Sequence, residues 1–122
     1  MVDDFEVVRR GLTNLLNESN RWQVCGEAED GPMALEQVAA LAPDIVFLDV
    51  SMPGMNGFEA AREIRKIAPR TKIVIYTMHE SSLVAEEARR AGADTYLAKS
   101  ASMEVLEETI HSLLASLATP PA

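Results

Sequence analysis

The sequence predicts a single domain built on an open parallel β-sheet with helices on both sides. Segments with apolar residues at helical spacing alternate along the chain with short apolar runs that lack this spacing. One of these runs, residues 45–50, is apolar except for Asp49, and such a run is typical of a strand that is buried on both faces. Alternation of this kind favours an α/β fold in which helices connect parallel strands.

Five helices are predicted in chain order. The first covers about residues 5–17, and the second is capped by Asp30 before Pro32. The third follows a turn rich in Pro and Gly at 51–57; the fourth is closed by Gly92, and the fifth is capped by Ser102. The residues that define these helices are Val8, Leu12, Leu15 and Leu16; Leu35, Val38 and Ala39; Phe58, Ala61, Ile64 and Ile67; Leu83, Val84, Glu87, Ala88 and Ala91; and Met103, Leu106, Ile110, Leu113 and Leu117.

The strands are predicted at 22–28, 45–50, 72–77 and 95–99 because these runs are short, apolar and rich in β-branched or aromatic residues. We expect residues 1–118 to form the domain. Residues 119–122 contain two prolines, and we expect them to be a linker stub or a C-terminal tail.

Composition argues against several classes of function. The net charge of -8 disfavours nucleic-acid binding by this segment, because phosphate contacts require clustered Lys and Arg. The one cysteine, Cys25, excludes an internal disulfide framework and suits a reducing cytosol. No apolar run is long enough to span a bilayer, and no secretory signal is visible. We therefore expect a cytoplasmic protein that does not bind membranes.

Polar residues stand at the ends of the predicted strands, where open α/β sheets form their sites. These residues are Asp3, Asp4, Asp49, Thr77 and Lys99. Converging carboxylates make a good site for Mg²⁺, which prefers oxygen ligands, while Asp49 is placed as a nucleophile beside a hydroxyl and a positive charge. Each residue alone has an ordinary structural explanation, such as a turn, a helix cap or a solvated lysine. Their shared position at one edge of the sheet favours a functional site.

The motifs FLDVSMPGMNG around Asp49, IYTMHE around Thr77 and TYLAKS around Lys99, with the Asp3-Asp4 pair, resemble the receiver domain of two-component response regulators. The resemblance extends from residue 2 to about residue 117. It implies a flavodoxin-like, doubly wound parallel sheet with strand order 2-1-3-4-5. The segments EVVRRGL, GEAEDG and DVSMPGMNG are most similar in sequence to those of receivers that precede a LuxR-type helix-turn-helix output domain.

The resemblance implies a role for each acceptor-site residue. Asp49 would accept a phosphoryl group from a sensor histidine kinase. Asp4, assisted by Asp3, would hold Mg²⁺ together with Asp49 and the backbone carbonyl of Ser51, and Lys99 would pair with the phosphoryl group.

Two further residues are implied as a switch. Thr77 would move inward to hydrogen-bond the phosphoryl group, and Tyr96, three residues before Lys99, would follow by turning inward. Without the motif, Tyr96 would equally be a half-buried strand aromatic with a wet hydroxyl. The chain is expected to be a phosphoacceptor domain rather than an enzyme, and to contact DNA through an output domain outside this chain.

The first strand of a receiver is expected to be largely missing, because only Met1 and Val2 precede the Asp3-Asp4 pair. Its usual run of about five apolar residues would contribute roughly 1.5–3 kcal/mol each on burial, in a domain stabilised by about 5–15 kcal/mol. Three explanations stay open: a late start of the sequence, a strand supplied by another copy in a homodimer or strand-swapped oligomer, or a rearranged sheet.

Three other functions compete with the phosphoryl switch. Haloacid-dehalogenase-type phosphatases need a second Asp two residues after the nucleophile, and Ser51 stands there. A flavodoxin-like electron carrier needs a hydroxyl-rich phosphate loop after the first strand, and DFEVVRR is not one. The serious alternative is a non-phosphorylated dimerisation or interaction module with a receiver-derived fold.

Overall fold

The structure is a computed structural model that describes residues 26, 28–50, 55–78, 82–100 and 102–118. In these ranges helices and strands alternate as α1 (Gly31–Leu41), β1 (Ile45–Asp49), α2 (Gly57–Ile67), β2 (Lys72–Thr77), α3 (Ser82–Arg90), β3 (Thr95–Ala98) and α4 (Met103–Ala118). The predicted α/β class is therefore confirmed. The predicted helix at 5–17, most of the strand at 22–28, the first strand and the tail at 119–122 lie outside the described residues. None of the helices in the described ranges is long and apolar enough to cross a membrane.

The three strands form a parallel sheet in the order β1-β2-β3. Asp49 pairs with Tyr76 at the end of β1, and Thr77 pairs with Ala98 at the end of β2. This order matches the last three positions of the predicted order 2-1-3-4-5. Because all three strands run the same way, they end at one edge of the sheet, the carboxyl edge, and begin at the opposite one, the amino edge.

The side chains of the sheet point alternately into two cores, as the two-residue period of a strand requires. One core joins the sheet to α1, α2 and α3, and the other joins it to α4. The first contains Val46, Leu48, Ile73 and Ile75 with Ala34, Val38, Ala60, Ala61, Ile64 and Ala88; the second contains Phe47, Val74, Tyr76 and Leu97 with Leu106 and Ile110. Burial on both faces explains why β1 and β2 read as nearly continuous apolar runs.

The predicted helix caps are confirmed. The Asp30 carboxylate accepts a hydrogen bond from the Met33 N–H at 2.8 Å at the start of α1. The Ser102 hydroxyl accepts one from the Val105 N–H at 3.2 Å at the start of α4. Gly92 follows α3 with a φ of 87°, a left-handed conformation that glycine adopts without steric cost.

Arg65 of α2 joins three segments at the amino edge of the sheet. Its Nε and Nη2 donate to the Gly92 carbonyl at 3.1 and 2.7 Å, and its Nη1 donates to the carbonyls of Pro69 and Thr71, each at 2.9 Å. Nη2 also donates to the Asp94 carboxylate at 2.8 Å. These bonds use every N–H group of the guanidinium, so Arg65 ties α2 to the segments that lead into β2 and β3.

Asp94 continues the connection between β2 and β3. Its carboxylate accepts a hydrogen bond from the Ile73 N–H at 2.8 Å, and its own N–H donates to the Ile73 carbonyl at 2.8 Å. These two hydrogen bonds hold the start of β3 in register with β2, next to Arg65.

Candidate functional site

Asp49 is the last residue of β1 and lies at the carboxyl edge of the sheet. The residues before it, Val46 to Leu48, are buried against helices on both faces, and this packing fixes the position at which the strand ends. Asp49 itself is 5% exposed. A carboxylate buried to this degree requires a charged or hydrogen-bonding partner, because desolvation of an unpaired charge is costly.

Lys99 supplies a positive charge to this carboxylate. Its Nζ lies 3.0 Å from Asp49 Oδ1, and the two side chains are 9% and 7% exposed. Lys99 follows β3 directly, whereas Asp49 ends β1, so the pair spans the end of the central strand β2. The short contact in a poorly solvated place makes each charge depend strongly on the other. The structure thus brings together two of the residues predicted from the sequence.

The end of β2 holds the backbone of Lys99. The Lys99 N–H donates to the Thr77 carbonyl at 2.6 Å, and the Tyr76 hydroxyl donates to the Lys99 carbonyl at 3.4 Å. The Tyr76 ring also packs edge-on against Phe47, with the ring centroids 6.1 Å apart. Tyr76 was not singled out from the sequence; the available signal was a hydroxyl-bearing aromatic at a strand position that the alternation places in the core.

Thr77 and Tyr96 lie on the same face of the sheet. Thr77 is 6% exposed and continues the face of Ile73 and Ile75, because every second residue of a strand faces the same side. Tyr96 is half-buried against the core that contains these residues, and it stands two positions before Ala98, the partner of Thr77. The two side chains are therefore diagonal neighbours on one face of adjacent strands.

Only one of the residues predicted to hold Mg²⁺ lies in the described part of the chain. This residue is Asp49, and its carboxylate at a strand end is a hard oxygen donor that fits the ion. The other predicted ligands, Asp3, Asp4 and the carbonyl of Ser51, lie outside the described residues. Within the described ranges, no three His, Cys, Asp or Glu side chains cluster in a way that could hold a metal ion.

The start of α2 packs directly against the end of β1. The Gly57 N–H donates to the Val50 carbonyl at 2.9 Å, and Asn56 caps the helix by accepting from the Glu59 N–H at 2.9 Å. The Asn56 cap was missed in the sequence, although an Asn three residues before a Glu is the usual pattern of a capped helix start. This contact places the first turn of α2 beside the Asp49 backbone.

Comparisons of the sequence with a family model and with known proteins point to the same family. A family model described as the response regulator receiver domain matches residues 1–111. The chain is 36% identical over 115 residues to the response regulator GacA of Pseudomonas aeruginosa, covering 94% of this chain and 54% of that protein. It is 35% identical over 113 residues to the response regulator UvrY of Escherichia coli, covering 93% and 52%. The chain therefore spans about half the length of the curated relatives it matches.

Solved structures agree with the sequence comparison. A two-component response regulator of the LuxR family from Aurantimonas sp. has a TM-score of 0.89 and 37% identity, over 94% of this chain and 82% of that one. The signal receiver domain of the response regulator NarL from Mycobacterium tuberculosis has a TM-score of 0.83 and 30% identity, over 98% and 94%.

Proposed function

The chain belongs to the response regulator receiver family, and on this basis we propose that it is a phosphoryl-accepting switch of a two-component system. Asp49 takes the phosphoryl group from a phosphohistidine of a sensor histidine kinase. The observation that supports the proposal most is the 3.0 Å contact between Asp49 and Lys99 in a poorly solvated place at the carboxyl edge. A receiver is a signalling domain, so the only chemistry assigned to it is its own phosphorylation and dephosphorylation.

The transfer step forms one bond and breaks one. A carboxylate oxygen of Asp49 attacks the phosphorus of the phosphohistidine in line with the leaving nitrogen, and the P–N bond breaks as the P–O bond forms. The imidazole nitrogen keeps the electron pair of the broken bond. Such a transfer depends mainly on positioning and on stabilising charge. A buried, strand-fixed carboxylate is well suited to both.

Lys99 acts both before and after the transfer. Before transfer its ammonium balances the Asp49 carboxylate, and after transfer it pairs with an oxygen of the phosphoryl group. Phosphorylation replaces one carboxylate charge by a larger anion with additional acceptor oxygens. The Asp49–Lys99 contact of the unmodified protein therefore has to rearrange, and this rearrangement is the local event that starts the switch.

Thr77 and Tyr96 relay the change. The Thr77 hydroxyl moves to hydrogen-bond the phosphoryl group, and the Tyr96 ring turns inward on the same face of the sheet. Support comes from their diagonal positions on β2 and β3 and from the half-buried state of Tyr96. The motion carries the signal to the surface around α3, β3 and α4.

Mg²⁺ is proposed as the cofactor, with Asp3, Asp4, Asp49 and the carbonyl of Ser51 as ligands. The ion would offset negative charge on the phosphoryl group during transfer. Asp49 is the member of this set whose position in the structure supports the assignment.

The output of the protein lies outside this chain. The relatives are roughly twice as long, and one solved neighbour is a regulator of the LuxR family. For the whole protein we propose a cytoplasmic transcription regulator that binds DNA through a further domain. We also propose that it dimerises through the receiver or exchanges a strand between copies.

The intact mass of the chain after treatment with acetyl phosphate tests the phosphoryl switch. A Mg²⁺-dependent phosphoryl adduct in the wild type, and none in Asp49→Asn, is the expected result. A folded chain that forms no adduct with Mg²⁺ but is a dimer by sedimentation would instead favour the non-phosphorylated interaction module.

A further inference from the structure

Gly57 lies against the backbone at the end of β1. A Cβ at this position would overlap the Asp49 carbonyl oxygen, and it would stand 2.9 Å from the Asp49 carbonyl carbon and 3.0 Å from Val50 Cα. Non-bonded heavy atoms are at their most favourable separation near 3.5–4.0 Å. Since all three neighbours are backbone atoms, they cannot rotate away as a side chain can. Any side chain at position 57 must therefore displace either α2 or the end of β1.

The need for glycine at this position is not conformational. Among the described residues, Gly57 is not one of those with a positive φ, and it is the first residue of a regular helix. Alanine is the better helix former at such a position. The space beside Gly57 is what excludes a side chain, and that space is filled by Asp49.

Gly31 offers a direct contrast. It is the first residue of α1, as Gly57 is the first residue of α2. A Cβ at Gly31 would also be crowded, at 2.6 to 2.9 Å, but by the side chain of Met55. Met55 Sδ and Cγ can rotate away because methionine is flexible, whereas Met55 Cβ, at 2.8 Å, yields only through a small shift of Met55 itself. The two glycines are therefore equivalent in secondary structure and differ in what an added methyl group would move.

We infer that Gly57 is a positioning residue for Asp49, in that its missing side chain lets α2 support the Asp49 backbone and so directs the carboxylate toward Lys99. The functional meaning of this inference rests on the proposed phosphoryl acceptance. A methyl group at position 57 would push on the carbonyl carbon and oxygen of Asp49 and on Val50 Cα. A shift of this backbone segment moves the Asp49 Cα and its side chain with it, and it would disturb the 3.0 Å contact with Lys99.

The test compares Gly57→Ala with Gly31→Ala at equal folded fraction, measured by circular dichroism. Two quantities are followed: the rate of adduct formation with acetyl phosphate and Mg²⁺, and the ¹³Cγ chemical shift of the Asp49 carboxylate without phosphodonor. For Gly57→Ala we expect a rate lower by about 10²-fold, the loss typical of a misplacement of about 1 Å, together with a displaced Asp49 signal. Gly31→Ala should leave both quantities near the wild-type values.

An unchanged rate and an unchanged Asp49 signal in Gly57→Ala would overturn the inference, and so would equal changes in both variants. If the wild type forms no adduct, the proposed function fails, while the Asp49 signal still decides the role of Gly57. If Gly57→Ala does not fold in buffer, the measurements are repeated with trimethylamine N-oxide, which favours compact states. A chain that stays unfolded there, while Gly31→Ala folds, would show that Gly57 serves the whole fold and would overturn the positioning role.

Discussion

Ionic contacts hold the two edges of the sheet, and the two contacts differ in burial and in the number of segments they join. At the carboxyl edge, Asp49 and Lys99 meet at 3.0 Å with side chains 7% and 9% exposed. At the amino edge, Arg65 and Asp94 meet at 2.8 Å with side chains 29% and 24% exposed. Arg65 also donates to backbone carbonyls that precede β2 and to one that precedes β3.

This difference fits a structural role for the contact at the amino edge and the proposed switch at the carboxyl edge. Water and several neutral carbonyls share the charge of Arg65, so the contact depends little on any single partner. The Asp49–Lys99 pair has much less contact with solvent, so a change of charge on either side chain has a large local effect. The amino edge can therefore keep β2 and β3 in register while the carboxyl edge changes state.

The largest expected effect is at Asp49, the proposed acceptor. Asp49→Asn removes the nucleophilic carboxylate oxygen while it keeps nearly the same shape, so we expect complete loss of the phosphoryl adduct in a folded chain. Intact-mass spectrometry after acetyl phosphate treatment measures the adduct, and circular dichroism checks the fold. A full adduct in Asp49→Asn would place the acceptor on another residue and remove the switch from this edge.

Lys99→Ala is expected to come next. We expect adduct formation to persist at a rate lower by about 10²-fold, the loss typical of one preorganised charge-stabilising group. We also expect the signal to be uncoupled, so that the NMR resonances of Tyr96 no longer shift on phosphorylation. Lys66→Ala, a change at an exposed lysine on α2, is the control. A Tyr96 response of wild-type size in phosphorylated Lys99→Ala would contradict the role given to Lys99.

Arg65→Met tests the structural role of the amino edge. It removes the side-chain donor from three backbone carbonyls and one of the donors from Asp94, so we expect the free energy of unfolding in urea to fall by about 2 kcal/mol. Lys66→Met, on the same helix and 71% exposed, should change it by less than about 0.5 kcal/mol. The adduct rate per folded molecule should not change in either variant. A slower rate in folded Arg65→Met would show that the two edges are not independent.

The smallest expected effect is that of Tyr76→Phe. The hydroxyl bond to the Lys99 carbonyl is 3.4 Å long, which is long for an O–H donor, so its loss should cost about 0.5 kcal/mol. Tyr76→Leu also removes the ring contact with Phe47 and should cost clearly more in the same urea titration. Equal losses would mean that the hydroxyl, and not the ring, is what Tyr76 contributes.

The parts of this structure that were predictable from sequence are those set by local pattern. The run ending at Asp49 is apolar because both of its faces are covered, and Asp30, Gly92 and Ser102 mark helix ends through their own chemistry. The approach of Lys99 to Asp49 also followed from pattern, because parallel strands end at a common edge.

Other features depend on which segments meet, and the sequence carries no local sign of them. Nothing around Arg65 indicates that carbonyls from separate loops converge on it. Gly57 reads as one more turn glycine until the backbone of Asp49 is seen beside it. The roles of Asp3, Asp4, Ser51, Thr77 and Tyr96 stay predictions.

The position of Lys99 also bears on how the sheet assembles correctly. A slip of β3 by one residue along β2 would turn every side chain of that strand to the opposite face. Lys99 would then leave the Asp49 carboxylate, and the half-buried Tyr96 would exchange sides with Leu97 of the other core. The native pairing is thus the one in which both charges and both cores are satisfied together. The contact proposed for signalling therefore also favours the native register of β3 on β2.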